Sequence, residues 1–233
     1  MRLDKYICES TTMTRSQAKK VISQGRITSS GRPIRNSAYK VAANEQISFD
    51  GKLISVRSTR YIMLNKPKDF ICSTVDEQLP SIVNLIQVDK REQLCIAGRL
   101  DADTTGLTLL TDDGQWSHKV TSPRRHCNKR YRVTLAEPVE QSAVALFNEG
   151  IQLKSENEPC LPATLEILTE NEVLLTINEG KYHQVKRMFA AIGNHVTELH
   201  REKIGGIELD PSLALGEWRY LSVQEVNSIG EHI

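Results

Sequence analysis

The chain is poor in aromatic residues, which make up 5% of it, and it holds no CxxC pair. A membrane-spanning helix needs about 20 consecutive apolar residues, and no run approaches that length. Cys8, Cys72, Cys95, Cys127 and Cys160 are scattered and odd in number, which argues against a disulfide framework and a thiolate zinc site. Charges interrupt the opening MRLDKYICES where a signal peptide would be apolar, so a cytoplasmic protein is expected. No metal or nucleotide motif is present, and no cofactor is expected. What remains is an ordinary globular composition, 39% hydrophobic and 25% charged, long enough for one large domain or two smaller ones.

The formal charge of +1 conceals a division. Residues 1–60 carry twelve Lys or Arg against four acids (Asp4, Glu9, Glu45, Asp50), which is +8. The rest carries 18 against 25, which is −7. Such segregation points to a nucleic-acid-binding part joined to something else, against the plainer reading of a solvated basic surface.

The basic segment reads as a compact unit. A short helix is expected over Leu3 to Cys8. Thr14-Arg15-Ser16-Gln17 has the form of a capping box, and the helix after it would bury Ala18, Val21 and Ile22 and end at Gly25. Its other faces carry Arg15, Lys19 and Lys20. A strand near Arg26 to Thr28, an alternating strand over 46–49 and a turn at Asp50-Gly51 towards Leu53-Ile54 complete it. Residues 55–60 lack apolar periodicity and read as a linker.

Beyond the linker, strands are expected at 61–64, 95–97, 107–111, 130–135, 163–168 and 173–178, with helices near 115–120, 142–148 and 183–192. In the last helix Val185, Met188, Phe189 and Ile192 recur at helical spacing before Gly193. Hairpin-like strands separated by helices predict an α+β domain with a mixed, mostly antiparallel sheet flanked by helices. The expected domains are 1–57 and 61–233.

Three polar constellations stand out. Gly98-Arg99-Leu100-Asp101-Ala102-Asp103-Thr104-Thr105-Gly106 lies between two strand-like runs, a loop on a rigid scaffold with a glycine at each end. It reads as a reactive carboxylate or as a turn whose Asp and Thr side chains bond the local backbone. As a Mg²⁺ site built on Asp101 and Asp103 it lacks a further carboxylate cluster. Residues 179–188 run from a strand through a glycine turn into a helix whose first turn would expose His183, Lys186 and Arg187. A cation fixed there would keep a nearby carboxylate ionised, unless it is simply a solvated helix end. Segment 123–132 sets five Lys or Arg around Tyr131. That pattern suits phosphate neutralisation with a ring for base stacking, or a solvated charge run around a core tyrosine.

In order along the chain, LNKPKDFICST at 64–74, GRLDADTTG at 98–106, KRYRVTL at 129–135, EGKYHQVKRMF at 179–189 and ELHREKIGGIEL at 198–209 resemble the motifs of the pseudouridine synthases. The N-terminal RLDKYI and TRSQAKKVISQGRI resemble an alpha-L RNA-binding domain shared with a small-subunit ribosomal protein. TTGLTLLTDDGQWSHKVTSPRRHC at 104–127 is similar to the branch that acts on small-subunit (16S) ribosomal RNA.

The resemblance implies an isomerase that flips a uridine out of its stack, cleaves the bond from N1 to ribose and rejoins the base through carbon 5. It implies Asp101 as the catalytic carboxylate, Tyr131 stacked on the uracil, and Lys186 as the basic partner of Asp101, where many relatives carry Arg. Leu199 would pack below the base, and Arg99, Thr105 and His183 are expected near the substrate. Arg2, Arg15, Lys19, Lys20, Arg26, Arg124, Arg125, Lys129 and Arg130 are the expected RNA contacts. Lys66 and Pro67 are expected as structural supports and Asp103 as a loop-shaping residue. The implied partner is 16S ribosomal RNA or a small-subunit assembly intermediate, with no metal, nucleotide cofactor or membrane. A large-subunit enzyme of the same family, a non-catalytic rRNA-binding assembly protein and a Mg²⁺-dependent enzyme are the alternatives. Whether Asp101 attacks the sugar, attacks the base or removes a ribose proton stays open in the sequence.

Overall fold

A computed structural model describes residues 1–56, 59–122, 127–154 and 156–229 and divides the chain into two compact units, 1–58 and 59–233. In the N-terminal unit two helices, α1 (Leu3–Ser10) and α2 (Arg15–Ser23), accompany a four-stranded sheet. The strands are β1 (Ile27–Ser29), β2 (Arg32–Pro33), β3 (Ile47–Phe49) and β4 (Lys52–Ile54), in the antiparallel order β2-β1-β3-β4. The expected capping box is formed: the Gln17 side chain accepts the Thr14 N–H at 2.8 Å while the Thr14 hydroxyl accepts the Gln17 N–H at 3.4 Å. Gly25, at φ 75°, takes the left-handed turn that ends α2. Asp50 and Gly51 both have positive φ, as a two-residue hairpin turn requires. Leu3, Ile7, Ala18, Ile22, Ile27 and Ile47 are fully buried and form the core of this unit.

Asp4 sits enclosed at the start of α1. Arg2 donates to it twice, at 3.1 and 2.9 Å, the Lys5 N–H once at 2.9 Å, and Arg15 at 3.4 Å. The Arg2 bond outweighs the upward pull of burial and holds the Asp4 carboxyl at about 2. With the folded value below the ordinary 3.8, this pairing stabilises the unit fully above pH 3.8 and is lost as the pH falls towards 2. An acid titration followed by amide exchange is expected to show the N-terminal unit losing protection across that window. Asp4→Asn should flatten the profile there; an unchanged profile would rule the pairing out as its source.

The C-terminal unit is organised around one sheet. Its strands are β5 (Tyr61–Lys66), β6 (Cys95–Ala97), β7 (Thr105–Thr111), β8 (Lys129–Leu135), β9 (Thr164–Ile167), β10 (Glu172–Ile177), β11 (Val196–Ile204), β12 (Ile207–Glu208) and β13 (Trp218–Tyr220). The order is β13-β5-β7-β11-β8-β10-β9, with β6 added to β7 and β12 to β11. Among the described pairings only β7–β11 is parallel, so the sheet is the mixed, mostly antiparallel one expected. Helices α3 (Gly114–Thr121), α4 (Ser142–Glu149), α5 (Gln184–Ala191) and α6 (Val223–Ser228) complete the unit. Of these, α3 packs on β6 and β7, α4 on β9 and α5 on β11. On α5, Val185, Met188 and Phe189 turn inward as their spacing predicts, and Phe189 meets Phe147 of α4 at 4.9 Å.

Two local expectations are corrected. Arg60 is not linker: its backbone and guanidinium both bind Asp112, at 2.7 and 2.8 Å, and the side chain is buried in the C-terminal unit. Residues 196–204, where no strand is expected, form β11, the central strand of the sheet. Its sequence VTELHREKI is crowded with titratable side chains, and two register shifts, at Val196/Glu198 and Arg201/Lys203, break the alternation. Burial therefore falls on Val196, Leu199, Arg201 and Ile204, a pattern with no period of two.

Candidate active site

The loop between β6 and β7 carries Asp101 at a cleft of about 1070 Å³ within the C-terminal unit. Backbone carbonyls on either side of Asp101 are held by buried cations. From the end of β5, the fully buried Lys66 donates to the carbonyls of Pro67 (3.0 Å), Ala102 (3.2 Å) and Thr104 (2.8 Å). From β11, Arg201 is 1% exposed and donates to the carbonyls of Leu107 (2.8 Å), Gly98 (2.8 Å) and Arg99 (3.3 Å). The Leu100 N–H is taken by the Cys72 sulfur at 3.2 Å. Burying a cation is costly unless its donors are satisfied, and here the loop supplies the acceptors. Burial still pulls the Lys66 ammonium below its ordinary value. The expected supporting role of Lys66 agrees with this geometry.

Asp101 meets two residues of the α5 N-terminus. His183 Nε2 lies 3.3 Å from Oδ1, and Lys186 Nζ lies 3.3 Å from Oδ2. His183 reaches this position from a left-handed backbone, φ 45°, which costs a non-glycine residue about 1 kcal/mol. Its ring stacks on Tyr182 at 3.8 Å. Lys186 is nearer still to Asp103, at 2.6 and 2.8 Å, so Asp103 is a direct partner of the cation and not only a loop-shaping residue. Burial by itself would raise the Asp103 carboxyl and lower the Lys186 ammonium. The bond between them, their mutual charge attraction and the other contacts of each (Asp101 for Lys186, a backbone N–H and Thr104 for Asp103) together outweigh it, leaving Asp103 below and Lys186 above their ordinary values. Among the described residues no group of three or more His, Cys, Asp or Glu is placed to hold a metal ion, and both loop carboxylates face the Lys186 ammonium.

Tyr131 on β8 and Leu199 on β11 line the same cleft and are 7% exposed each. Arg201 stands opposite Tyr131 in the β8–β11 register, donates to its hydroxyl at 3.4 Å and sets its guanidinium 5.9 Å from the ring centre. Arg201 was not singled out from the sequence. It sits inside a motif that does carry the resemblance, but no local pattern marks an arginine for burial.

The remaining expected site residues divide. Arg99 and His183 line the cleft. Thr105 does not: its hydroxyl turns to β11, 2.8 Å from His200 Nδ1, and Thr104 lines the cleft instead. Lys129, expected on the RNA-facing surface, points inward, lines the cleft and donates to the Cys127 carbonyl at 2.7 Å. Arg130 is ion-paired with Glu202 at 3.3 Å and Glu208 at 3.7 Å. Arg124 and Arg125 lie outside the described residues. In the N-terminal unit Arg2 and Arg15 surround Asp4, and Arg26 is paired with Asp50. Lys19 and Lys20 are exposed on α2, with no ion pair among the described residues.

Residues 60–191 match the family model for RNA pseudouridylate synthase, and residues 1–47 match that for the S4 domain. A ribosomal small subunit pseudouridine synthase A of Vibrio parahaemolyticus is 52% identical over 231 residues, 98% of this chain and 99% of its own. Its counterpart from Escherichia coli is 49% identical over 230 residues, 98% of this chain and 100% of its own. A crystal structure of a pseudouridylate synthase, 48% identical, superposes with a TM-score of 0.72 over 98% of this chain and 99% of that one. An N-terminal S4 domain thus precedes a catalytic fold whose cleft gathers an aspartate, a lysine and a histidine beside it and a tyrosine, and the chain belongs to the RNA pseudouridylate synthase family.

Proposed function

We propose that this protein converts a uridine of small-subunit (16S) ribosomal RNA into pseudouridine in the cytoplasm, with residues 61–233 performing the chemistry and 1–57 binding RNA. One observation carries the residue assignment: each oxygen of Asp101 faces a basic side chain, His183 at Oδ1 and Lys186 at Oδ2, at the cleft that Tyr131 and Leu199 line. The names of the relatives support the small-subunit substrate.

The uridine must leave its stack before its glycosidic bond can be reached, at a cost of a few kcal/mol that contacts in the cleft offset. Tyr131 supplies a ring face and Leu199 an apolar surface for the flipped base. Asp101 meets the electron deficiency that develops at carbon 1′ as the bond to N1 breaks, and Lys186 and His183 hold it in orientation. The base turns, carbon 5 bonds to carbon 1′, and the proton lost from carbon 5 is balanced by one gained at N1. Lys19 and Lys20, exposed on α2 with no ion pair among the described residues, are available to phosphates of the RNA.

Purified protein is expected to form pseudouridine in 16S but not 23S transcripts, read by chemical mapping of the modified nucleotide. Modification confined to 23S RNA would move the enzyme to the large-subunit branch. Tight binding of 16S RNA without product, on free RNA and assembly intermediates alike, would make it a non-catalytic assembly protein.

A further inference from the structure

The basic side chains of the cleft differ in their partners. Lys186 is answered by Asp101 and Asp103 and Lys181 by Glu156, and the His183 ring lies 3.3 Å from Asp101. Arg99 on the loop, and Arg201 and Lys129 beside Tyr131, form no ion pair among the described residues. Arg201 is almost wholly buried, and its described partners are the carbonyls of Gly98, Arg99 and Leu107 and the Tyr131 hydroxyl, all neutral. The Lys129 ammonium bonds the neutral Cys127 carbonyl. Among the described residues neither cation forms an ion pair. Lys129 and Tyr131 stand two residues apart on β8 and so project to one side of the strand, and Arg201 faces Tyr131 from β11. Two like charges are thus kept in the wall of one cleft. Burial pulls the Lys129 ammonium below its ordinary value, the Cys127 sulfur acts against this, and Arg201 adds to it. Arg201 also holds the Asp101 loop, but an apolar side chain at position 129 would pack this wall without setting a second charge beside it.

We propose that Arg201 and Lys129 form a cationic wall behind Tyr131 that stabilises the negative charge carried by the uracil while it is detached from the ribose. This inference rests on the pseudouridine synthase reading of the cleft. When the N1–C1′ bond breaks, its electron pair stays with the base, which becomes a uracil anion stacked on Tyr131. The pair is returned when carbon 5 bonds to carbon 1′. The charge is transient, so cations fixed in advance in a poorly hydrated wall favour the transition state over the neutral ground state. Lys129 lines the cleft and acts on the base directly. Arg201 acts through the Tyr131 hydroxyl and ring and is a positioning residue.

The test is Lys129→Met in the full-length protein, under single turnover, on two RNAs: one with uridine and one with 5-fluorouridine at the target. The fluorinated base is more acidic and needs less help to carry charge. Disappearance of the N-linked nucleoside in a nuclease digest reports both. On uridine the rate is expected to fall about 100-fold, the size typical of losing one preorganised electrostatic donor. On 5-fluorouridine the loss should shrink to less than about 10-fold, because less charge stabilisation is required. RNA affinity should stay within about twofold, with an unchanged salt slope. Lys129→Arg should recover most of the rate. Arg201→Lys should repeat the pattern in milder form if it folds; Lys129→Met decides the matter without it.

Equal losses on the two RNAs would overturn the proposal, since a merely structural role slows both alike. So would an unchanged rate. Weaker binding with a salt slope reduced by about one would overturn it in favour of a phosphate contact by Lys129. Asp101→Ala, run in parallel, separates the two levels. A wild-type protein that leaves both RNAs unchanged sinks the synthase reading itself and an active Asp101→Ala sinks the assignment of Asp101, whereas a dead Asp101→Ala beside a normal Lys129→Met sinks only the cationic wall.

Discussion

Asp101→Ala is expected to abolish tritium release from RNA carrying carbon-5-labelled uridine, lowering the rate by at least about 10⁴-fold, the upper range for a single acid–base group. Asp101→Asn should be nearly as inactive, although it keeps the shape of the side chain, because the charge between Lys186 and His183 is what it removes. RNA binding and thermal stability should change little in either, since the loop is held through its backbone carbonyls by Lys66 and Arg201 and not through the Asp101 carboxylate. Asp103→Asn gives the contrast. It takes away the closer partner of Lys186 and leaves that cation to Asp101, so the loss should stay below about 10-fold, as for a group outside the reacting set. Full turnover by Asp101→Ala would end the mechanism proposed here. Activity that disappears in EDTA, with Asp101 and Asp103 variants equally impaired, would favour the Mg²⁺-dependent alternative.

Gly106→Ala should be among the most damaging substitutions for stability. Gly106 has φ 104°, a backbone region that L side chains rarely adopt, and it pairs with Arg201 at the parallel β7–β11 junction. An added methyl group would run into the Arg201 backbone, 2.7 Å from its nitrogen and closer still to its carbonyl oxygen. Backbone cannot rotate away as a side chain does, so the two central strands must part. We expect a loss of about 3–5 kcal/mol, in the range reserved for such backbone conflicts. At about 2–4 °C per kcal/mol for a chain of this size, the melting temperature should drop by roughly 10 °C. The activity of the folded fraction should fall as well, because the same junction aligns Arg201 with the Asp101 loop. A melting temperature within about 2 °C of wild type would show that the strands accommodate the methyl group at little cost.

The legible parts of the fold share a physical cause. The α2 cap, the Asp50-Gly51 turn and the inward face of α5 depend on side chains a few residues apart, so local spacing records them. β11 escapes that reading because its neighbours, β7 on one side and β8 on the other, shield its polar residues and bend its alternation. A strand buried by its partners needs no amphipathic pattern of its own. The Asp101 loop was legible as a polar cluster between apolar runs, but not as a site, since a turn and a reactive carboxylate have the same local composition. Asp101 and Asp103 are less distinct than their motif positions imply, because one lysine spans both carboxylates, which no local sequence pattern shows.

The sequence by itself determined the two-part charge division, the α+β class, the family motifs and the candidacy of Asp101, Tyr131, Lys186 and Leu199. Tertiary structure alone decided that Arg201 is buried, that Lys129 points inward, that Thr105 turns away from the cleft and that Arg130 is occupied by acids. A buried cation is specified by its acceptors, and those of Arg201 lie 94, 103 and 70 residues away, at Leu107, Gly98 and Tyr131. Apolar side chains are placed by a general preference for leaving water, which periodicity records. Where a charge rests depends on which particular carbonyls and carboxylates meet it, and those are assembled only when the strands pair.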